Sequence, residues 1–266
     1  MNGFDLRRRE GLTYFVCPAL EAEGFINAFS TRLDEDGDEE FALGHSNASM
    51  AEVVARNRRR FLKAVGGDRL VTARQIHSSI VRSSAEPDFT SGLECDAITS
   101  SDPGYLIGIQ TADCLPLLIG DRQTGAFAGV HAGWRGTLRN IAAETVVRMQ
   151  SEWGSRPQDL VVALGPAISA PRFQLGPEVL DQFKAEYDWC GELISGEDSQ
   201  GRAYFDLNEC NRRQLMAAGV GSVNIFDSGL CTIENNELFF SYRLEKGNIH
   251  EIGRLMSVIG RKKKSE

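Results

Sequence analysis

The sequence predicts a mixed α+β fold in which sheets are covered by helices. Three observations in the chain point to sheets covered by helices. Several segments repeat apolar residues at helical spacing, others form short apolar runs of strand type, and the two kinds mix without a regular βαβ rhythm.

The elements follow in order. From Met50 to Val65 the apolar residues Met50, Val53, Val54, Phe61, Leu62 and Val65 share one helical face. Asn57 falls on the inward side of that helix, and Arg58 lies beside the same seam. A buried amide needs a partner, which protein, water or ligand could supply. Leu70 to Val81 and Tyr105 to Ile119 read as strands, the second largely buried, and Ala126 to His131 as a shorter one. A helix is expected from Thr137 to Trp153, with Leu138, Ile141, Ala142, Val146 and Met149 as its stripe and Gly154 at its end. Leu160 to Leu164 is a strand. Pro177 opens a helix bearing Val179, Leu180, Phe183 and Tyr187. Asp206 and Glu209 have capping-box spacing for a further helix that stops near Gly219. Strand structure is expected around Phe239–Tyr242, then a short helix near Arg254.

Composition bounds the function. The chain has 266 residues, a net charge of -8 and a pI near 5.2. That balance argues against a general nucleic-acid binder, so an anionic substrate would need a local positive site. One domain is expected over 1–266, with 261–266 as a flexible basic tail. The polar start lacks the apolar core of a secretory leader. The longest apolar run, Tyr105 to Gly120, is broken by Asp113 and Pro116 and cannot span a bilayer. Six scattered cysteines without a CxxC pair suit a reducing compartment. A cytoplasmic protein is expected, without nucleic-acid or membrane partners, and with at most a weak homodimer.

The chain has four histidines: His45, His77, His131 and His250. His77 and His131 sit where apolar strands give way to small or polar residues, and Cys114 follows a strand in Thr111-Ala112-Asp113-Cys114. Two imidazoles and a thiolate suit zinc and leave a fourth position open. Their wide spacing leaves two other readings standing: a metal-free hydrolase with Cys114 as nucleophile and His131 as base, or packed histidines around an inert thiol. In His131-Ala-Gly-Trp-Arg-Gly136 a glycine-rich turn precedes a helix, so an anion could meet free N–H groups there with Arg135 close by. Trp134 could stack on a purine or fill the core. Asp96 and Asp113 are candidates for acid–base work, for orienting a ligand histidine, or for capping loops.

These motifs bring a resemblance into view. Arg74-Gln-Ile-His77, Glu94-Cys-Asp-Ala97, Thr111-Ala-Asp-Cys-Leu-Pro116 and Gly129-Val-His-Ala-Gly-Trp-Arg-Gly136 resemble the YfiH-like family. Its members are described as multicopper polyphenol oxidases or laccase-domain proteins, and as purine nucleoside phosphorylases. Further matching blocks are Phe29–Arg32, Leu43–His45, Asn57-Arg58, Leu164–Ile168 and Phe239–Arg243. Cys231–Glu234 departs from the family pattern. The resemblance implies a mixed four-layer α/β/β/α sandwich of CNF type, with helices outside two sheets, and zinc at His77, Cys114 and His131, with copper as the alternative metal. It implies phosphorolysis of adenosine, inosine, guanosine and 5'-methylthioadenosine, plus adenosine deamination. Asp113, Cys114 and His131 become the expected catalytic groups, and Arg32, Asn57, Arg58 and Arg135 the expected contacts to nucleoside and phosphate. Four histidines are too few for a blue-copper site plus a three-copper cluster, which excludes a multicopper mechanism while leaving a single-copper polyphenol oxidase open. A hydrolase acting on another substrate, such as a cell-wall precursor, is the other alternative. The HxE and PCxxC signature of zinc nucleobase deaminases is absent, so deamination would use a different set of groups.

Overall fold

Some strands of this chain are apolar on both faces, and such strands need cover on both sides. Leu115–Asp121, Phe127–Ala132 and Leu160–Leu164 are buried at every position. In the computed structural model, which describes residues 3–34, 41–45, 48–247 and 252–261, they form the middle of one of two facing sheets.

The first sheet contains β1 (Asp5–Arg9), β2 (Leu12–Val16), β3 (Phe25–Asp34), β4 (Gly44–His45), β5 (Leu70–Thr72), β8 (Leu106–Thr111) and β16 (Gly253–Arg261). Its order is β1-β2-β3-β16-β8-β5, with the short β4 also pairing β16. The second sheet contains β6 (Val81–Ser83), β7 (Ala97–Ser100), β9 (Leu115–Asp121), β10 (Phe127–Ala132), β11 (Leu160–Leu164) and β15 (Ile225–Asp227), in the order β15-β11-β9-β10-β7-β6. A small third sheet joins β12 (Gln174–Leu175), β14 (Ala203–Phe205) and β13 (Ile194–Ser195).

Alternation along the strands sets the layers. Leu118, Phe127, Val161 and Ala163 of the second sheet meet Phe29, Ile107, Ile109 and Ile259 of the first, which makes the core between the sheets. Leu117, Ile119, Val130 and Val162 point the other way. They pack under α4 (Ile141–Trp153), α5 (Pro177–Glu186) and α6 (Leu207–Ala217) through Val146, Met149, Leu180, Phe183 and Leu215. On the outer face of the first sheet, Phe61 and Ala64 of α2 (Ala51–Val65) cover Tyr14, Ala28, Met256 and Val258. The expected α/β/β/α layering is therefore observed. Short helices α1 (Pro18–Ala22), α3 (Trp134–Leu138) and α7 (Tyr242–Glu245) complete the elements. No described helix is long and apolar enough to cross a membrane.

The structure confirms α2, α5, α6 and the strand at 160–164, and Asp206 accepts from the Glu209 N–H at 2.9 Å as its spacing predicts. Other elements differ. Each long strand expected at 70–81 and 105–119 is two strands in different sheets, because the chain crosses between layers at 73–80 and at 112–114. Both crossings carry chemistry-bearing residues, His77 and Cys114. The helix expected over 137–153 is broken: Asn140 takes a left-handed φ of 61° between α3 and α4. The strand expected at 239–242 is turn and the start of α7, with Phe239 and Phe240 fully buried. The short helix expected near Arg254 is β16, a central strand of the first sheet. Arg261 ends β16 with its guanidinium 5.2 Å from the Phe25 ring, so it is not part of a tail; 262–266 and His250 lie outside the described residues.

Candidate metal centre and its cavity

Crossing between sheets at two places brings distant residues to one edge of the sandwich. His77 lies in the 73–80 crossing, Cys114 in the 112–114 crossing, and His131 near the end of β10. One ligand atom from each lies within 4.8 Å of the others, the only such group of three among the described residues. The two imidazole rings stand edge to face, with centroids 4.8 Å apart. His131 is buried, Cys114 half-buried and His77 exposed, so the cluster opens to solvent on one side.

Asp96 organises this wall. Its fully buried carboxylate accepts N–H bonds from Ile76 (3.3 Å), His77 (3.0 Å) and Ser78 (2.6 Å), and an O–H bond from Ser78 (2.7 Å). One oxygen also lies 2.7 Å from Nδ1 of His131, which leaves Nε2 as the ligand nitrogen. The backbone N–H of His131 donates to the Asp96 carbonyl at 2.7 Å. Burial pushes the Asp96 carboxyl up, but hydrogen bonds from His131 and Ser78 outweigh it and hold the pKa at about 2. For His131, burial favours the neutral ring, but the Cys114 charge and the Asp96 bond outweigh it and raise the pKa to about 9. Burial, and next the charge of His131, lower that of His77.

Backbone conformation is spent on the site as well. His77 has φ 57° and Asp113 has φ 85°, left-handed values that cost a non-glycine residue about 1–3 kcal/mol each. Gln75 and Gln110 tie the two crossings together: the Gln75 amide donates to the Gln110 carbonyl at 2.7 Å, and the Gln110 N–H donates back at 2.8 Å. Gly133 lets the backbone come close. A Cβ there would lie 3.0 Å from Nδ1 of His77 and 3.1 Å from Sγ of Cys114.

The cluster forms part of the wall of a cavity of about 730 Å³. Trp134, Phe173 and Tyr242 give it aromatic surface, and Arg74, Arg135, Arg243, Lys246 and Arg254 give it positive charge. Asp113 is the acidic residue among the described lining residues. Both of its carboxylate oxygens are engaged, one by the Thr232 hydroxyl at 2.6 Å and one by the Arg243 N–H at 2.5 Å.

Of the residues assigned from sequence, the structure brings together His77, Cys114, His131, Asp113 and Arg135. Arg32, Asn57 and Arg58 are not among the described residues that line the cavity; they hold the segments behind it. Asn57 donates to the Ala42 carbonyl at 3.1 Å and Arg58 Nε to the Leu43 carbonyl at 2.7 Å. Arg32 pairs with Glu245 at 2.6 Å, donates to the Asn236 carbonyl at 3.1 Å and stacks on Phe240. The inward position of these side chains on a helix or strand thus comes with partners from the protein itself, two of them backbone carbonyls held by Asn57 and Arg58. The helix after His131 also differs from expectation. Because α3 is five residues long, the dipole argument for an anion at its start does not hold, although Arg135 does reach the cavity, stacked 4.3 Å from Trp134. The sequence reading missed Arg254, Lys246 and Tyr242 as cavity residues. Tyr242 and Arg243 fall in a block the resemblance had matched, whereas nothing local marked Arg254.

A four-layer sandwich with a two-histidine, one-cysteine cluster at a cationic cavity defines a class of protein, and comparison places this chain in it. The chain belongs to the family described as multi-copper polyphenol oxidoreductase laccase, whose model matches residues 28–262. A purine nucleoside phosphorylase of Deinococcus radiodurans is 37% identical over 78% of this chain and 77% of its own length. A protein named adenosine deaminase RL5, from an unknown prokaryote, is 34% identical over 85% of this chain and 90% of its own. A purine nucleoside phosphorylase of Bacteroides thetaiotaomicron is 38% identical over 56% of this chain, so this chain spans about half (55%) of that relative's length. Among solved structures, the hypothetical protein YfiH of Bacillus licheniformis superposes with a TM-score of 0.88 at 25% identity, over 98% of this chain and all of that one.

Proposed function

We propose that this chain is a purine nucleoside phosphorylase, cleaving adenosine, inosine, guanosine and 5'-methylthioadenosine, that also deaminates adenosine. The observation that carries the reading is the placement of His77, Cys114 and His131 within 4.8 Å of one another beside a cavity large enough for a nucleoside and rich in cations. The names of the relatives support it. The same reading takes 1–266 as one cytoplasmic domain, with at most a weak homodimer.

The donor set fits a single zinc ion. Two imidazoles and a thiolate are suitable ligands, Asp96 fixes the ring of His131, and Gly133 keeps a methyl group out of the space between His77 and Cys114. Copper in the same three ligands is the alternative. Bound there, the ion would supply Lewis acidity to a substrate oxygen or to water. With four histidines in all, the family's multicopper description does not extend to copper chemistry of that kind here.

In phosphorolysis an oxygen of hydrogen phosphate bonds to C1′ of the ribose, and the C1′–N9 bond breaks with its electron pair going to the purine. The proton carried by hydrogen phosphate ends on the purine, and ribose 1-phosphate remains. The protein works by holding both partners in line and opposing the developing charges. Trp134, Phe173 and Tyr242 offer faces for the base, and Arg135 at the cavity contacts the anion. In deamination water adds at C6, Asp113 is the group proposed to carry the proton that this water gives up to the departing amine, and the C6–N bond breaks to release ammonia. Cys114 and His131 serve both reactions as ligands.

The test is a product assay with adenosine, with and without phosphate. Free adenine only with phosphate, and inosine without it, is the expected result. Absence of any phosphate-dependent purine release would overturn the phosphorylase reading. The contact between Cys114 and His131 also suits a metal-free cysteine hydrolase. Full activity after exhaustive metal removal would favour that reading.

A further inference from the structure

We propose that Arg254 is the anchor for the phosphate, in a cavity that Arg243 also lines. The proposal rests on the phosphorylase reading and goes beyond it by naming the residue that grips the attacking anion.

The argument begins with the cations that line the cavity. Arg74 is exposed and paired with Glu94 at 2.7 Å. Arg135 is exposed and stacked on Trp134, and Lys246 is exposed above the Tyr242 ring. Arg243 is half-buried over Phe173, with Nη1 given to the Gln174 carbonyl at 3.0 Å. Arg254 is placed differently. It is the second residue of β16, opposite Gly44 of β4, one residue before Leu255 pairs with Thr111 at the end of β8. That register sets it against the 112–114 crossing, within electrostatic reach of Cys114 and Asp113.

Its fork is held at one corner only. Nη1 donates to the Ile252 and Gly253 carbonyls at 2.8 and 3.2 Å. Nε and Nη2 have no acceptor among the described residues. Neither nearby carboxylate forms an ion pair with it among the described residues: Oε1 of Glu245 is held by Arg32 and Asn236, and both oxygens of Asp113 by Thr232 and the Arg243 N–H. Burial disfavours the charged form of Arg254, yet a guanidinium does not deprotonate in proteins. A half-buried, permanent cation with donors to spare and no ion pair among the described residues is matched by an oxyanion that takes two parallel N–H bonds. In a chain of net charge -8, this is the local positive site that a phosphate requires.

The experiment measures binding of inorganic phosphate by calorimetry, and steady-state kinetics with inosine, for the metal-loaded wild type, Arg254→Gln and Arg254→Lys. Thermal melts and zinc content show that the variants are folded. Arg254→Gln should raise the phosphate KM roughly ten- to a hundred-fold and weaken phosphate binding in step, the size of one charge-assisted contact. The inosine KM should move far less, and Arg254→Lys should recover part of the loss. An unchanged phosphate KM, or equal changes for both substrates, would overturn the assignment while the phosphorylase reading stands. If the wild type shows no phosphorolysis, that reading falls and the binding arm alone decides: phosphate binding that Arg254→Gln abolishes keeps the anchor, and binding that is absent or survives removes it. A 5′-nucleotide such as AMP binding more tightly than phosphate, and losing that advantage in Arg254→Gln, would assign the site to a nucleotide's phosphate and overturn the choice of inorganic phosphate.

Discussion

The two walls of the cavity are built differently. The ligand wall is over-determined: Asp96 alone fixes three successive N–H groups, a hydroxyl and the His131 ring, and both crossings carry a left-handed non-glycine residue. The cationic wall hangs on longer side chains whose supports are one step removed. Arg58 holds the Leu43 carbonyl, the Leu43 N–H bonds the Arg254 carbonyl at 2.9 Å, and Arg32 steadies the 236–245 segment that carries Tyr242 and Arg243. A metal demands positions good to a fraction of an ångström, whereas a phosphate tolerates adjustment by flexible arginines. Damage to the first wall should therefore be abrupt and damage to the second graded.

The largest effect expected is from removing a ligand. Cys114→Ala and His131→Ala should each lose the metal and both activities, as read by elemental analysis and turnover. Gly133→Ala should come close to the same result with all three ligands in place. Its φ of -77° suits alanine, so the fold should survive, but the new methyl would sit 3.0 Å from His77 and 3.1 Å from Cys114. Stoichiometric zinc in all three variants would remove the site from the proposal.

Asp96→Asn should weaken metal binding by about 10–100-fold, because the amide can neither balance nor orient His131 as the carboxylate does. The same variant reports on stability. The Asp96 pKa is depressed to about 2, so its stabilising contribution is complete above the ordinary carboxylate value and lost as pH falls toward 2. The wild type should thus keep this contribution through mild acid, and the variant should melt lower at neutral pH. An unchanged melting temperature would show that the five contacts carry no net weight.

Proton competition should come next in size. In the metal-free protein His131 titrates at about 9, so at neutral pH a metal must displace its proton. Apparent affinity should fall roughly tenfold per unit as pH drops below that value. His77, whose pKa is lowered, adds to the slope only at lower pH. A competition titration from pH 6 to 8.5 measures this, and a flat profile would mean that His131 is not a ligand.

The same contrast explains what the sequence disclosed. The ligand wall was legible as candidates because its chemistry is rare, with four histidines, two of them at strand ends, and a cysteine after a third strand, and it was the family resemblance that joined them into one metal site. The cationic wall was not, because 29 lysines and arginines offer no such economy. Arg254 gave no local signal, since its role comes from β16 pairing with β4 and β8, segments far apart in sequence. Helices covering sheets were readable from apolar period, whereas the four layers came from the resemblance. The crossings at 73–80 and 112–114 were hidden inside apolar runs, where neighbouring strands of two sheets look like one long strand. Arg58 shows the opposite case. Its inward position was real, and its Nε meets a carbonyl behind the wall.

That residue provides the smallest and most discriminating effect. If Arg58 acts through Leu43, then Arg58→Ala should lower stability by about 1.5–3 kcal/mol, the usual size of a hydrogen bond from a charged donor. The lost support should let β4 and the start of β16 shift slightly. Arg254 would keep its fork and lose some of its aim, so the phosphate KM should rise only a few-fold, well short of the change expected for Arg254→Gln. Metal content should not change, because no ligand or Asp96 contact passes through α2. Arg58→Lys should restore little, since a lysine cannot repeat the Nε geometry to the Leu43 carbonyl. Calorimetric melting, zinc analysis and phosphate kinetics on the two variants separate the cases. A hundred-fold rise in phosphate KM with stability intact would put Arg58 in the cavity as a direct phosphate contact, and would show that the cationic wall is as tightly fixed as the ligand wall.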